Sequence, residues 1–184
     1  MRIGPIGPDR AGHLVVTDRH HPSRPRADDR QRLGIRLARG HAVGLGSGIC
    51  GAILTRDLLG LATEIIGVQS TEAPSYALSF AAGRVVETNS ANTRADGMAT
   101  RQPDAAALAI IRQGAARVVT VSDDEVAGAI RAYWTDTHNL AEGAGAAPLA
   151  ALLQEKDRHV GKRVGLVLCG GNIDLALFKS WVMA

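Results

Sequence analysis

The stretch Ala42-Val43-Gly44-Leu45-Gly46-Ser47-Gly48-Ile49-Cys50-Gly51, residues 42–51, leads from a short apolar segment through a glycine-rich turn into an apolar stripe. The stripe continues at helical spacing through Ile53 and Leu58, and a second apolar segment follows at residues 64–68. This order predicts a strand, a turn, a helix and another strand. Because such a unit has parallel strands and a right-handed crossover, we predict an α/β fold.

The glycine-rich turn, residues 44–48 and hereafter the first glycine turn, is typical of an anion site. Glycines let backbone amides converge at the positive end of the following helix, and phosphate is the usual occupant. A tight turn that requires positive φ and binds nothing is the alternative. Four glycines within residues 44–51 favour binding.

The kind of phosphate compound is a separate question. Residues 46–51 match the GxGxxG dinucleotide pattern, but the next strand is followed by Gln69 and Ser70 where an acidic residue should hold a ribose. No Gly-Lys-Ser/Thr follows the glycines, so a nucleotide P-loop is excluded. Cys169-Gly170-Gly171-Asn172, the second glycine turn (residues 169–172), follows an apolar strand at residues 163–168. Since parallel strands end at one edge, both turns are expected to face one crevice.

The composition is that of one globular domain. Of 184 residues, 46% are hydrophobic and 21% charged, and only 3% are aromatic, so an aliphatic core is expected. No apolar run approaches the roughly 20 residues of a membrane-spanning helix. No secretory signal begins the chain, and a cytoplasmic location without membrane contact is therefore predicted.

Residues 1–40 differ from the remainder, residues 41–184. They hold nine arginines, no lysine, no aromatic residue and four of the seven prolines. An arm for nucleic acid is one interpretation, but lysine and stacking aromatics are missing. We therefore predict a disordered or non-native leader, and no nucleic-acid partner.

The later sequence completes a three-layer αβα arrangement with a mainly parallel sheet. Ser122-Asp123-Asp124-Glu125 is a capping box before an apolar stripe, which predicts a helix. Residues 143–153 are rich in alanine and predict a helix packed closely on the sheet. A final helix is predicted at residues 173–182.

Six motifs in order resemble the threonine dehydratase group of fold-type-II pyridoxal-phosphate enzymes, which includes serine dehydratases and serine racemases. The motifs are residues 44–51, Gly67-Val68 with Ala73-Pro74-Ser75, Ala95-Asp96-Gly97, residues 121–125, residues 141–146 and residues 169–172. The resemblance covers about residue 42 to the end and corresponds to the C-terminal half of the family. It implies part of a tryptophan-synthase-β-like fold.

The resemblance also implies a pyridoxal 5'-phosphate site. The phosphate would be wrapped by the backbone amides of the first glycine turn, which are those of Gly44, Leu45, Gly46, Ser47 and Gly48. Glu142 resembles the family's glutamate near the ring. The alternative, equally supported, is that its carboxylate only stabilises the start of a helix. Cys169 resembles the residue that contacts the pyridine nitrogen. Leu45 and Ser47 replace common glycines, and Gly48 replaces a larger apolar residue.

Two departures from the family pattern concern a metal and the catalytic amine. Some members bind a cation with a carboxylate where Gln69 stands, and an amide there predicts no tightly bound divalent metal. The family's Schiff-base lysine belongs to its first half, whereas the only lysines here are Lys156, Lys162 and Lys179. We therefore expect no catalytic residue in this chain.

The resemblance implies a threonine dehydratase-like ammonia-lyase of amino-acid metabolism, which would convert a β-hydroxy amino acid to a 2-oxo acid and ammonia. We expect a truncated fragment that is inactive alone. The substrate stays open among threonine, serine and 3-hydroxyaspartate, and so does assembly into a homo-oligomer. A non-catalytic module that binds a phosphate ligand or another protein is the alternative.

Overall fold

The computed structural model describes residues 2–3, 14–16 and 37–183, with side chains from Gly40 onward. In this part of the chain the strands are β1 (Arg2–Ile3), β2 (Leu14–Val16), β3 (Leu37–Ala42), β4 (Glu64–Ser70), β5 (Ala115–Val121) and β6 (Arg163–Leu166). The α-helices are α1 (Ser47–Leu58), α2 (Ser75–Ala82), α3 (Ala105–Gly114), α4 (Asp123–Thr137), α5 (Gly143–Gln154) and α6 (Leu175–Val182). Short 3-10 helices cover Asp96–Met98 and Lys156–His159.

The strands form one sheet in the order β1-β2-β6-β3-β4-β5. The β1–β2 pair is antiparallel, and every other neighbouring pair is parallel. Strand β3 lies between β4 and β6, and Ala42 pairs with Val68 where β3 ends. The predicted α/β fold with a mainly parallel sheet is confirmed.

Helices cover both faces of this sheet, as the burial of β4 shows. Residues 65–70 of β4 are all buried, which is typical of a parallel strand between two helical layers. Ile66 and Val68 pack in a core with α4, α5 and α6, while Ile65 packs in a second core with α1, α2 and α3. Successive side chains of a strand point to opposite faces, so each core lies between the sheet and one helical layer. The predicted three-layer arrangement is therefore present.

Small residues bring α5 close to the middle of the sheet. A methyl group at Gly40 of β3 would lie 3.3 Å from Cβ of Pro148 in α5. Every residue from Gly143 to Ala151 is buried. The close packing predicted from the alanine-rich sequence is therefore present, and α5 begins at the same edge of the sheet where β3 and β6 end.

Side-chain caps fix several helix starts. The hydroxyl of Ser122 accepts a hydrogen bond from the Glu125 amide, and the Glu125 carboxylate accepts one from the Ser122 amide. The predicted capping box is thus present at α4. At α6 the carboxylate of Asp174 accepts from the amides of Ala176 and Leu177, so this helix begins two residues after its predicted start.

The sheet also includes part of the expected leader. Strand β3 begins at Leu37, four residues before the expected boundary at residue 41, because its backbone pairs with strands on both sides. Strands β1 and β2 lie in the same segment. The rest of residues 1–40 lies outside the described residues. Among the helices that the structure describes, none is long and apolar enough to cross a membrane.

Candidate cofactor-binding site

The two glycine turns lie at the same edge of the sheet. The first follows β3 and the second follows β6, and these strands are parallel neighbours. Just beyond β6, the amide of Val167 donates to the carbonyl of Gly40, 3.4 Å away. The strand order thus places both turns at one edge, and the expectation that they face one crevice stays a prediction.

The first glycine turn leaves backbone amides available at the start of α1. Gly46 has a φ of 94°, a left-handed conformation that glycine adopts without a steric penalty. The first helical hydrogen bond runs from the Cys50 amide to the Gly46 carbonyl, so the three preceding amides have no partner within the helix. No side chain caps α1, and its first turn has no acidic residue. These features fit a bound phosphate.

Tyr76 of α2 fixes the backbone of the first glycine turn. Its fully buried hydroxyl donates to the Leu45 carbonyl, 3.1 Å away, and accepts from the Asp104 amide, also at 3.1 Å. Burial raises the pKa of the Tyr76 phenol, which keeps the hydroxyl protonated as a donor. Sequence reasoning missed this residue, because a lone tyrosine in a weak helix carries no local signal.

A short 3-10 helix, Asp96–Met98, lies between the first glycine turn and α5. A methyl group at Gly44 would meet the backbone carbonyl of Gly97. On its other side, a methyl group at Gly97 would lie 2.7 Å from Cβ of Ala144 and 4.0 Å from Oε1 of Glu142. Because Gly97 has no side chain, the first glycine turn and α5 can both pack directly against its backbone. In the sequence only the resemblance through Ala95-Asp96-Gly97 indicated this segment.

The second glycine turn packs against the start of α5. The Glu142 amide donates to the Gly170 carbonyl, 3.0 Å away, and a methyl group at Gly170 would lie 2.7 Å from Cδ of Glu142. A methyl group at Gly145 would lie 2.7 Å from that same Gly170 carbonyl. Glu142 precedes α5 but its carboxylate makes no capping hydrogen bond. The half-buried carboxylate therefore lies beside the second glycine turn instead of closing its own helix.

Cys169 is exposed at the second glycine turn. Burial raises the pKa of the Tyr133 phenol in α4, and an ionised Cys169 would raise this pKa further. Cys169 therefore lies near the fully buried side chain of Tyr133. Its role toward a pyridine nitrogen stays a prediction.

Gln69 is fully buried at the end of β4. Its Oε1 accepts a hydrogen bond from the Ala77 amide at 2.8 Å, so the side chain fixes the first turn of α2. The prediction that no divalent metal binds tightly here stays a prediction. Among the residues that the structure describes, no three His, Cys, Asp or Glu side chains form a group that could hold a metal.

Two of the three lysines lie away from the two glycine turns along the fold. Lys156 belongs to the 3-10 helix before β6, and Lys162 immediately precedes β6. Both are therefore at the edge where β6 begins, opposite the edge where the turns lie. Lys179 is exposed on α6. The expectation that none occupies the position of a catalytic amine stays a prediction.

Comparisons with known proteins agree with this geometry. A family model described as pyridoxal-phosphate dependent enzyme matches residues 40–170. The L-threonine ammonia-lyase of Geobacter sulfurreducens is 42% identical over 112 residues, which cover 61% of this chain and 28% of that protein. The beta-hydroxyaspartate dehydratase of Paracoccus denitrificans is 31% identical over 133 residues, which cover 72% of this chain and 42% of that protein.

Solved structures give the same result for the fold. A threonine deaminase from T.th. superposes with a TM-score of 0.72 at 31% sequence identity, over 80% of this chain and 54% of that one. The chain thus spans about half of the length of these relatives, or less. The family match, residues 40–170, contains the whole first glycine turn and ends within the second. The chain belongs to the family of pyridoxal-phosphate dependent enzymes.

Proposed function

We propose that this chain provides the phosphate-binding and ring-binding part of a pyridoxal-phosphate dependent ammonia-lyase for a β-hydroxy amino acid. The observation that carries the proposal is the first glycine turn, an uncapped helix start beside the second glycine turn. Pyridoxal phosphate has a phosphate at one end and a flat polar ring at the other, which fits two neighbouring turns of this kind. The similarity to threonine and hydroxyaspartate lyases supports the reaction class.

The first glycine turn binds the phosphate in this proposal. The amides of its residues, from Gly44 to Gly48, donate to the phosphate oxygens, and the positive end of α1 adds electrostatic attraction. The Tyr76 hydroxyl donates a hydrogen bond to the Leu45 carbonyl, so this acceptor is already occupied. The amides of the turn can then point toward the anion.

Glu142 and Cys169 lie at the ring end of the site. When bound, pyridoxal phosphate supplies an electron-withdrawing ring that stabilises negative charge at the substrate's α-carbon. Cys169 would contact the pyridine nitrogen, and a neutral thiol there could not stabilise a full positive charge as a carboxylate would. This arrangement would favour prompt loss of the β-hydroxyl. Glu142, which lies beside the second glycine turn, would face the same end of the ligand.

The reactive amine is not supplied by Lys156, Lys162 or Lys179 in this proposal. Two of them lie at the opposite edge of the sheet and the third is exposed on α6. We therefore expect the chain by itself to bind the cofactor without turning over threonine. In the same proposal, the chain is a truncated form of a longer enzyme.

Two assays on the purified chain test this function. Pyridoxamine 5'-phosphate carries an amine in place of the aldehyde and so measures cofactor binding without reacting with lysines. We expect saturable binding of one equivalent, and no 2-oxo acid when threonine, serine or 3-hydroxyaspartate is added with pyridoxal phosphate. A purified L-threonine ammonia-lyase serves as the positive control for turnover.

The two assays contradict different parts of the proposal. Absence of saturable pyridoxamine 5'-phosphate binding would exclude the cofactor site. Production of a 2-oxo acid by the chain alone would show that a reactive amine is present after all. In that case, borohydride reduction followed by peptide mapping identifies the lysine that carries the cofactor.

A further inference from the structure

We propose that His41 is a positioning residue of the first glycine turn. Its imidazole fills the volume that a side chain at residue 48 would need, and it sets the first turn of α1 in the shape that binds the cofactor's phosphate. This inference rests on the proposed function. It adds a residue outside the turn to the phosphate site.

The contact between His41 and Gly48 is direct. A methyl group at Gly48 would lie 2.6 Å from Cε1 of His41, 3.3 Å from Nδ1 and 3.5 Å from Nε2. Atoms of this kind do not approach to 2.6 Å, so a side chain at residue 48 and the present ring position exclude each other. The two residues are seven apart in the chain and contact each other across the junction between β3 and α1.

Backbone conformation does not explain the glycine at residue 48. The glycines with positive φ in the described part of the chain are Gly46, Gly60, Gly83 and Gly161, so Gly48 is not one of them. Glycine inside a helix costs about 1 kcal/mol relative to alanine. Gly51, in the same helix, has open space around it. The His41 ring is thus the steric constraint that the structure shows at residue 48, and a methyl group there would have to displace it.

His41 also connects the strand to the helix. It is the second-last residue of β3, is half-buried, and its Nδ1 lies 3.3 Å from the Ala42 carbonyl. Nδ1 of the ring is therefore near the strand backbone, and the neighbouring Cε1 contacts the first turn of α1. Since Gly48 has no side chain, its exposed backbone remains open to a ligand. Both effects favour an ordered set of amides at the helix start.

A double-mutant cycle on the whole chain tests the pair. The variants are His41→Ala, Gly48→Ala and the double variant, with Gly51→Ala as the matched control in the same helix. The probes are pyridoxamine 5'-phosphate and pyridoxamine, measured by calorimetry. Their affinity ratio isolates the phosphate's contribution, which a general loss of stability would not change selectively.

We expect each single change to lower the affinity for pyridoxamine 5'-phosphate about tenfold, while pyridoxamine binding stays unchanged. The double variant should bind about as well as His41→Ala alone, because without the imidazole a methyl group at residue 48 has no ring to displace. The control Gly51→Ala should match the wild type. If His41→Ala does not fold, Gly48→Ala alone still has to lower the ratio.

The outcomes separate this inference from the proposed function. Equal binding of both probes by the wild-type chain would contradict the phosphate site itself. A wild-type preference for the phosphorylated probe that persists unchanged in His41→Ala or in Gly48→Ala would overturn the role of His41. Additive losses in the double variant would overturn the interlocked pair.

Discussion

Close backbone approaches at single residues bring the parts of the site together. Gly97 lets the first glycine turn approach α5, and Gly145 of α5 lets the second approach the same helix. At both positions even a methyl group would overlap a neighbour. Cores and tight turns are close-packed, so such overlaps force the backbone apart. The relative placement of the turns therefore depends on the absence of these side chains.

Replacement of Gly97 by alanine tests this dependence. The added methyl group would lie 2.7 Å from Cβ of Ala144, which cannot rotate away, and we expect a loss of about 1–3 kcal/mol in the free energy of unfolding. The control Gly51→Ala has open space and should instead stabilise α1 by about 0.5–1 kcal/mol. Urea denaturation measures both. Equal stability of the Gly97→Ala chain and the wild type would contradict the close approach.

Replacement of Tyr76 by phenylalanine tests the support behind the first glycine turn. The change removes the partner of both the Leu45 carbonyl and the Asp104 amide. Loss of a buried partner costs about 1–3 kcal/mol, which we expect in the free energy of unfolding together with weaker pyridoxamine 5'-phosphate binding. Calorimetry and urea denaturation check the two effects. Unchanged binding would mean that the turn keeps its shape without this hydroxyl.

At the scale of elements, a partly buried polar cluster links the end of α5 to β5 at the edge away from the glycine turns. The Arg117 guanidinium lies 2.5 Å from the Glu155 carboxylate, and the buried His159 ring lies 3.7 Å from it. Burial and the Arg117 charge hold the pKa of His159 below its usual value. Burial raises the pKa of Glu155, but the hydrogen bond and charge of Arg117 lower it overall.

These shifts predict lower stability in acid. His159, with its pKa lowered by folding, contributes stability that is present above its ordinary pKa of 6.5 and is lost as the pH falls below that value. Glu155 acts in the same direction below its ordinary pKa of 4.5. We expect the free energy of unfolding to fall between about pH 7.5 and 5.5, as measured by urea denaturation.

Two histidine variants make this test specific. His159→Asn should flatten the decrease in stability, because it removes the buried imidazole. His138 is exposed, and its φ of 55° suits asparagine, so His138→Asn should retain the full decrease. An equal decrease in all three proteins would show that His159 is not responsible.

Much of the element order could be predicted from the sequence, because it depends on local signals. Helical spacing after residue 44 and the capping box at Ser122 identify α1 and α4. The start of β3 at Leu37 could not be predicted, because the arginine-rich sequence there has no apolar pattern. This part of the strand is instead set by pairing with β4 and β6, which come later in the chain. Contacts of His41 and Gly97 were missed for the same reason. They are set by tertiary packing and leave no periodic pattern.

At the scale of the whole molecule, the glycine turns and the polar cluster around Glu155 lie at opposite edges of the sheet. The glycine turns lie where β3 and β6 end, while the cluster around Glu155 lies near the start of β6. Between them the sheet carries two apolar cores on its opposite faces. This is the arrangement expected of a doubly covered parallel sheet, in which ligands bind at the carboxyl ends of the strands.

The central claim is that the first glycine turn binds the phosphate of pyridoxal phosphate. Nuclear magnetic resonance of the ¹⁵N-labelled chain, titrated with pyridoxamine 5'-phosphate, tests this claim most directly. We predict that the amide signals of Ser47, Gly48 and Ile49 shift most, and that unphosphorylated pyridoxamine leaves them in place. Large shifts confined to other segments, or equal shifts with both compounds, would contradict the claim.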